Sequence, residues 1–405
     1  MLKNQKYADV SPIADATMEP GPGDRDRSDG RAIGDAAARA PGPRSGGVAR
    51  VLVSELQQLL DRLVAAGAPG AAGWVRDERG GPGAASGLAN RRTGQPMRPE
   101  LRFRAGSMTK SLVAAVVLRL AAEGRLSLAD PLEHWLPGRL RYGDRVSLRQ
   151  LLNHTGGVPD RTATLEQALY ASRPGRLRAW TPQALVARVA DQPPAFPAGT
   201  AWSYSNTGYV LLGLVVEAAS QRTLGQELGR SILGPLGLRD TLFPDGAPEI
   251  PGPSARGYSL PLGPHGEALD GPLLDFTVQN PSWAGAAGAL VSTLPDLTRF
   301  FRALLGGRLL PPPLLAEMTT MVEVPSGSIP LPLYDRYGLG LLEVETPAGP
   351  LLGNAGGIPG FLSIVLSTTD GRRQLGLMVN ALPAPAPVYE ALIQGSRALG
   401  GRLLS

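Results

Sequence analysis

The 405-residue chain contains no cysteine, which excludes disulfide bonds, thiolate metal sites and a cysteine nucleophile. Aromatic residues make up only 5% of the sequence, and the arginines are scattered rather than gathered into a basic stripe interleaved with aromatics. The formal net charge of +5 therefore gives little support to nucleic-acid binding. No apolar run is long enough to span a membrane, so we expect no stable membrane insertion.

Lysine is nearly absent as well. Apart from Lys3 and Lys6 close to the N-terminus, the chain has only Lys110, and its other basic residues are arginines. An arginine at position 110 could not lose its proton, whereas a buried lysine can. Ser107 stands three residues earlier, so on a helix its hydroxyl would share a face with the Lys110 amine. Burial would lower the pKa of that amine and let it act as a base near neutral pH.

The first 47 residues differ in composition from the rest of the chain. They are polar and rich in Pro, Gly, Asp and Arg, and they lack the apolar segment of a secretory signal peptide. We expect residues 1–47 to form a disordered tail and the protein to be cytoplasmic, although a leader or docking segment is an alternative. Residues 48–405 are expected to form one domain of two intergrown lobes.

Apolar periodicity and turn signals predict the elements of that domain. They give helices over 48–66, 107–123, 298–305 and 388–399, and strands near 72–76, 83–88, 351–352, 361–367 and 374–380. Pro and Gly punctuate residues 130–280, so we expect loops and short helices there. Strands near both ends of the chain predict that the terminal segments share one sheet.

Two further segments bear on the S-x-x-K motif, which on its own more often marks a helix-capping serine followed by a lysine that reaches solvent. Tyr204 and Asn206 are two residues apart, so in an extended segment both side chains point to one side. Later, the glycine-rich stretch from Gly353 to Gly357 would let a substrate backbone lie against a strand edge.

In this order, the three segments resemble the motifs of the serine β-lactamase and penicillin-binding-protein superfamily. The Y-x-N at Tyr204 is typical of its class C branch, which includes D-alanyl-D-alanine carboxypeptidases, class C β-lactamases, D-aminopeptidases and family VIII-type esterases. The resemblance covers roughly residues 50–400. It implies an α+β, β-lactamase-like fold, in which helices flank an antiparallel sheet built from the N- and C-terminal segments. A mostly helical lobe would occupy roughly residues 125–285. Lesser similar stretches are Phe103–Ser107, Leu151–Gly157, Phe196–Gly199, Gly234–Leu238 and Gly288–Asp296.

The resemblance also implies roles for the motif residues. Ser107 would be the acylated nucleophile, Lys110 its base and Tyr204 a second acid or base. Asn206 would orient them and hold a substrate carbonyl. The oxyanion hole would use the backbone N–H groups of Ser107 and Gly357. No metal or cofactor is implied.

The third motif departs from the family pattern, and this bears on the substrate. Family members usually have Lys-Thr-Gly or His-x-Gly there, with the first residue helping to bind a substrate carboxylate. Asn354 occupies that position here, followed by Gly356, and a neutral amide loses the charge-assisted contact. We expect Asn354 and Gly356 to contact a substrate without a free carboxylate, unless a nearby arginine such as Arg336 supplies the missing charge.

The histidines and the segment 337–340 are not expected to be catalytic. His154 is expected to be a structural loop residue, and His134 and His265 surface or satisfied core residues. The segment 337–340 is expected to be a strand and turn framing the cleft. No G-x-S-x-G elbow is present, which disfavours an α/β-hydrolase triad.

The leading functional hypothesis is a serine acyl-enzyme hydrolase or acyltransferase acting on ester or D-configured peptide or amide bonds of a small-molecule or peptide substrate. One alternative is a cytoplasmic peptide cyclase or thioesterase in natural-product biosynthesis. Another is a non-catalytic penicillin-binding-like sensor, and a third is an exported enzyme acting on cell-wall peptides. The sequence does not indicate an oligomeric state.

Overall fold

A computed structural model of the chain describes residues 46–77, 80–160, 162–263, 266–326, 328 and 334–404. The predicted tail, residues 1–47, lies outside the described residues except for its last two, and its disorder stays a prediction. His265 also lies outside them. No helix in the described ranges is both long and apolar enough to cross a membrane.

The centre of the fold is a nine-stranded antiparallel sheet with the strand order β3-β2-β1-β13-β12-β11-β10-β9-β8. The strands, in chain order, are β1 (Gly70–Arg76), β2 (Gly83–Asn90), β3 (Gln95–Pro96), β4 (Phe103–Arg104), β5 (Tyr258–Ser259), β6 (Leu274–Asp275), β7 (Val291–Ser292), β8 (Val322–Glu323), β9 (Arg336–Tyr337), β10 (Leu342–Thr346), β11 (Gly349–Ile358), β12 (Phe361–Ser367) and β13 (Gln374–Val379). Near the N-terminus, β1 pairs with β13 near the C-terminus, with Ala71 opposite Val379. The prediction that the two ends share one sheet is confirmed.

Helices cover both faces of this sheet. The α-helices are α1 (Gly46–Ala65), α2 (Met108–Ala122), α3 (Leu132–Trp135), α4 (Leu148–Leu152), α5 (Thr162–Ala171), α6 (Arg173–Leu177), α7 (Pro182–Ala187), α8 (Asn206–Ser220), α9 (Leu224–Leu228), α10 (Gly234–Leu236), α11 (Gly285–Gly288), α12 (Leu294–Leu305), α13 (Pro312–Met318) and α14 (Ala386–Leu404). One apolar core lies between the sheet and α1 with α14, and the larger one surrounds α2, α8 and α12. This arrangement confirms the predicted α+β class.

The two long helices beside the site are buried rather than amphipathic. In α2, the segment from Leu112 to Val117 is fully buried, in keeping with its near-continuous apolar sequence. Residues 130–280 hold mainly loops and short helices, as predicted, and α8, which is 15 residues long, is an exception that the sequence did not indicate. Its sequence is apolar on nearly every side, so it lacks the one-sided periodicity that marks a surface helix. Ser205 caps it by accepting a hydrogen bond from the Gly208 N–H at 3.1 Å.

A close backbone contact joins the sheet to the start of α2. A Cβ on Gly356 of β11 would lie 1.9 Å from the Ala105 carbonyl oxygen, far inside any real contact distance. Gly106, at a φ of 55°, lies against the Gly357 backbone in the same way. Because neither contact leaves room for a side chain, β11 is held directly against the segment that leads into Ser107.

Gly356→Ala should therefore destabilise the protein, because β11 must move away from Ala105 to make room for the methyl group. Such overpacking costs about 1–3 kcal/mol of unfolding free energy, measurable by urea denaturation followed by circular dichroism. Gly229→Ala is the matched control, since its Cβ would meet nothing within 4 Å and its φ is −56°. Equal stability of the two variants would contradict a tight contact between β11 and the loop.

Candidate active site

Ser107 lies at the N-terminus of α2, where the first N–H groups of a helix have no partner within it. Its side chain makes no capping hydrogen bond, so the interpretation as a helix-capping serine is wrong. Lys110 is 0% exposed, which also overturns the interpretation as a lysine reaching solvent. Both side chains lie where α2 meets the start of α8 and the short helix α11.

The Lys110 amine has three polar neighbours. Its Nζ lies 3.0 Å from Ser107 Oγ, 2.7 Å from Asn206 Oδ1 and 2.8 Å from the carbonyl oxygen of Ala287. Burial lowers the pKa of Lys110 to about 7, and the carboxylate of Asp160 opposes this shift. The amine can therefore exist in its neutral form near neutral pH.

Asn206 is held in one orientation by Asp160. The Asn206 side-chain nitrogen donates to Asp160 Oδ2 at 2.9 Å, and its backbone N–H donates to the same oxygen at 3.3 Å. A carboxylate only accepts hydrogen bonds, so the amide nitrogen must face Asp160 and the amide oxygen must face Lys110. The Asn206 amide was expected to hold a substrate carbonyl. One of its N–H groups is instead bonded to Asp160 within the protein.

Tyr204 approaches the serine from the other side. Its hydroxyl donates to Ser107 Oγ at 2.7 Å, and its ring faces Lys110 Nζ with 4.7 Å between nitrogen and ring centroid. Burial raises the pKa of Tyr204 well above its usual range, with Tyr337 and Tyr334 adding to the shift. The phenol therefore keeps its proton. Ser205 is extended, at φ −139° and ψ 112°, and this places Tyr204 and Asn206 on one side as predicted.

His154 supports the site without reaching it. Its imidazole is buried among the rings of Trp202, Tyr204, Tyr209 and Tyr337, with centroid separations of 4.5–5.7 Å. Its Nδ1 accepts from the Ser205 N–H at 3.2 Å, and burial with the charge of Lys110 lowers its pKa well below the usual range. A neutral, packed histidine matches the predicted structural role. His134 is exposed, beside Trp135.

Ser107 opens into a cavity of about 410 Å³. Its walls are mainly apolar and aromatic, with hydroxyl, amide and carboxyl groups at a few points. The described residues that line it are Ser107, Glu166, Tyr170, Tyr204, Asn206, Leu262, Gly266, Trp283, Ala284, Ala287, Gly288, Tyr334, Ala355, Gly357, Ile358, Pro359, Leu362, Leu382 and Pro383. A concave, largely apolar site with a few converging polar groups is typical of small-ligand pockets.

The two predicted oxyanion-hole residues lie next to each other. Gly357 of β11 contacts Gly106, the residue before Ser107, and both Ser107 and Gly357 line the cavity. The backbone of Ser107, just before α2, and the backbone of Gly357 therefore meet at one wall of the cavity. Gly356 faces Ala105 instead, so its contact with the loop leaves it beneath the cavity surface.

Asn354 was expected to contact the substrate, but it is not among the described residues that line the cavity. Its side chain is 3% exposed and donates to Ser111 Oγ at 2.7 Å and to the Gly340 carbonyl at 3.2 Å, below the described cavity lining. Direct substrate contact would require it to leave these bonds. Arg336 does not replace a missing cation there, because its guanidinium forms ion pairs with Glu343 and Glu345.

Two acidic residues of the site have no motif in the sequence. Asp160 follows the Leu151–Gly157 segment by three residues, and Glu166 lies on α5 and lines the cavity. The periodicity of α5 could have placed Glu166 and Tyr170 on one face, but nothing in the sequence shows that this face borders the Ser107 cavity. The link from Asp160 to Asn206 spans 46 residues and depends on the tertiary fold.

Comparison with known proteins identifies the family of the chain. The protein family described as Beta-lactamase matches residues 56–396. Esterase EstB of Burkholderia gladioli is 37% identical over 174 residues, which cover 41% of this chain and 44% of EstB. The chain therefore spans less than half of the length of that curated relative.

Two solved structures match over nearly their whole length. D-stereospecific amidohydrolase from Streptomyces sp. is 37% identical, with a TM-score of 0.74, covering 85% of this chain and 98% of that chain. D-amino acid amidase from Ochrobactrum anthropi SV3, complexed with D-phenylalanine, is 28% identical, with a TM-score of 0.75, covering 87% and 98%. These matches confirm the β-lactamase-like fold and the resemblance drawn from the motifs. The chain belongs to the β-lactamase family and is a serine hydrolase of the β-lactamase fold.

Proposed function

We propose that this hydrolase cleaves ester or amide bonds through an acyl-enzyme on Ser107, with Lys110 as the base and Tyr204 as the acid. One observation carries the proposal. Two proton carriers converge on the Ser107 hydroxyl, the Lys110 amine at 3.0 Å and the Tyr204 hydroxyl at 2.7 Å. These distances are within the hydrogen-bond reach that proton transfer requires.

The surroundings of Lys110 favour the base role. A neutral amine has two N–H groups and one lone pair. The Asn206 amide oxygen and the Ala287 carbonyl can only accept, so they take the two N–H groups. The lone pair is then left for the Ser107 hydroxyl. As Ser107 Oγ bonds to the substrate carbonyl carbon, its proton passes to Lys110 Nζ.

The oxyanion formed in this step would be stabilised by the backbone N–H groups of Ser107 and Gly357. The bond to the leaving group then breaks, and Tyr204 supplies the proton that the leaving oxygen or nitrogen needs. The proton held by Lys110 restores the phenol. Water hydrolyses the acyl-enzyme by the same steps in reverse, releasing the acid and free Ser107.

The relatives support the class of bond. The names of EstB and of the two amidohydrolases describe ester and amide cleavage, and two of those names specify D-configured compounds. We therefore propose small esters or amides of D-configured acyl groups as substrates. A non-catalytic sensor is disfavoured, because a binding protein has no need of a buried lysine held by two acceptors and aimed at a serine. No feature of the described cavity favours an amine over water as acceptor, so cyclisation is not proposed.

An activated ester provides the direct test of the acyl-enzyme. With p-nitrophenyl acetate, the wild-type protein should release an initial burst of p-nitrophenolate, and mass spectrometry should find the acetyl group on Ser107. The Ser107→Ala variant should show neither, because it has no nucleophile. A rate unchanged by this substitution would overturn the proposed function.

The acylation rate should rise with pH through about 7, because only the neutral form of Lys110 accepts a proton. The negative charge of Asp160 raises the pKa of Lys110, so Asp160→Asn should move the midpoint of this rise to lower pH. Acylation should also slow by about 10–100-fold, since Asn206 loses a charge-assisted hydrogen bond. The measurement is the pH profile of p-nitrophenyl acetate turnover.

Two controls accompany that profile. Asp191→Asn removes an exposed carboxylate that is paired with Arg141, and it should leave both the midpoint and the rate unchanged. Glu166→Gln removes another group of the cavity whose pKa is about 7, and the rise should persist in that variant. A midpoint that stays in place in Asp160→Asn would show that Asp160 has only a structural role.

Tyr204→Phe tests the acid. Removing a proton donor should slow cleavage of an amide by about 10²–10⁴-fold. A p-nitrophenyl ester should lose much less, because its leaving group departs as a stable anion and needs no proton. The comparison is the turnover of a D-amino acid amide and of p-nitrophenyl acetate by both proteins. Equal losses on the two substrates would show that Tyr204 acts on Ser107 rather than on the leaving group.

A further inference from the structure

One group of the cavity has no part in the mechanism above. Glu166 lies on α5 and lines the same cavity as Ser107, Tyr204 and Asn206. Among the described residues of this lining, Glu166 is the only one with a carboxyl group, and none is a lysine, arginine or histidine. The described lining therefore offers an incoming acyl group one acidic side chain in mainly apolar and aromatic surroundings.

The position of Glu166 is fixed by its helix. Tyr170, one turn later on α5, also lines the cavity, and its hydroxyl lies 2.8 Å from Ser259 Oγ of β5. Its ring packs against Phe276 with 4.3 Å between the centroids. These contacts join α5 to the neighbouring wall, and Glu166 on the same helix lines the cavity.

Among the described residues, the Glu166 carboxyl group has no side-chain partner in an ion pair or a hydrogen bond. Burial raises its pKa to about 7, and the negative charge of Asp160 adds to the shift. A desolvated carboxyl group of this kind is stabilised in its ionised form by an opposite charge placed beside it. The chemistry that fits is a cation carried into the cavity by the ligand.

We propose that Glu166 binds a protonated amine on the acyl group that Ser107 accepts. Preferred substrates are then amino-acyl esters or amides whose side chain is apolar and which carry no free carboxylate. The inference rests on the proposed function and names the acyl group for it. Trp283, Tyr170 and Tyr334 provide the apolar surface for the side chain and aromatic faces near the cation.

A carboxylate in place of the amine would meet the opposite environment. It would approach Glu166 with the same sign of charge and find no arginine or lysine in the described lining. Lys110 does not serve this purpose, because its amine lies behind Ser107 and is held by Asn206 and Ala287. The cavity thus selects by charge as well as by apolar shape.

A pair of esters that differ only in the amine tests this inference. The methyl ester of D-phenylalanine and methyl 3-phenylpropanoate share one skeleton, and only the first has an amino group. Wild type should prefer the amino ester in kcat/KM at neutral pH. Glu166→Gln should lower kcat/KM for the amino ester by about 10–100-fold, the range for a lost hydrogen bond between charged groups, and should spare the other ester.

Two controls make the outcome of this test clear. Turnover of p-nitrophenyl acetate reports that Glu166→Gln is folded and still acylates Ser107. Glu249→Gln removes an exposed carboxylate outside the described lining and should behave as wild type with both esters. Equal losses on both esters would overturn amine recognition and assign Glu166 to the chemistry, and no loss on either would also overturn it. If wild type acylates Ser107 with neither ester nor p-nitrophenyl acetate, the proposed function itself fails.

Discussion

The site depends on keeping one amine out of water. Lys110 is 0% exposed, and the removal of water is the largest cause of its lowered pKa. In the proposed mechanism the apolar residues of α2 and α8 therefore contribute to the chemistry, because water reaching Nζ would return the pKa towards that of a free lysine. Two acceptors from different elements, Asn206 Oδ1 and Ala287 O, then fix the direction in which the amine can receive a proton.

The proposed mechanism also needs an oxyanion hole at the same serine, and the residues proposed for the site come from distant parts of the chain. Ser107 belongs to the N-terminal part, whereas Gly357 arrives on β11, some 250 residues later. The contact that joins them is backbone against backbone, at Gly356 with Ala105 and at Gly357 with Gly106. Such contacts tolerate little displacement, so the sheet and the helical core must both be formed before the site is complete.

The sequence predicts the parts of this site whose geometry is local. Ser107 with Lys110, and Tyr204 with Asn206, follow from spacings of three on a helix and two on an extended segment. Residue type did not reveal the environment of Asn354, which lies beneath the cavity and bonds to Ser111 and Gly340. Nothing in the sequence placed Glu166 at the site, because only the tertiary fold brings its helix to the border of the cavity.

The residue at position 354 can alter the charge of the site without altering the nucleophile. A lysine there would bring a second cation close to Lys110, since Asn354 bonds to Ser111, the residue next to Lys110 on α2. The neutral amide removes that charge, and its two hydrogen bonds tie β11 to α2 and to the turn at Gly340. With Glu166 as the charged group of the described lining, the sign of the cavity is set from α5 rather than from β11. The group proposed to select the charge of the ligand, Glu166, thus lies on α5, whereas Gly357 is held by β11. This separation lets the acyl pocket vary while the geometry around Ser107 stays constant.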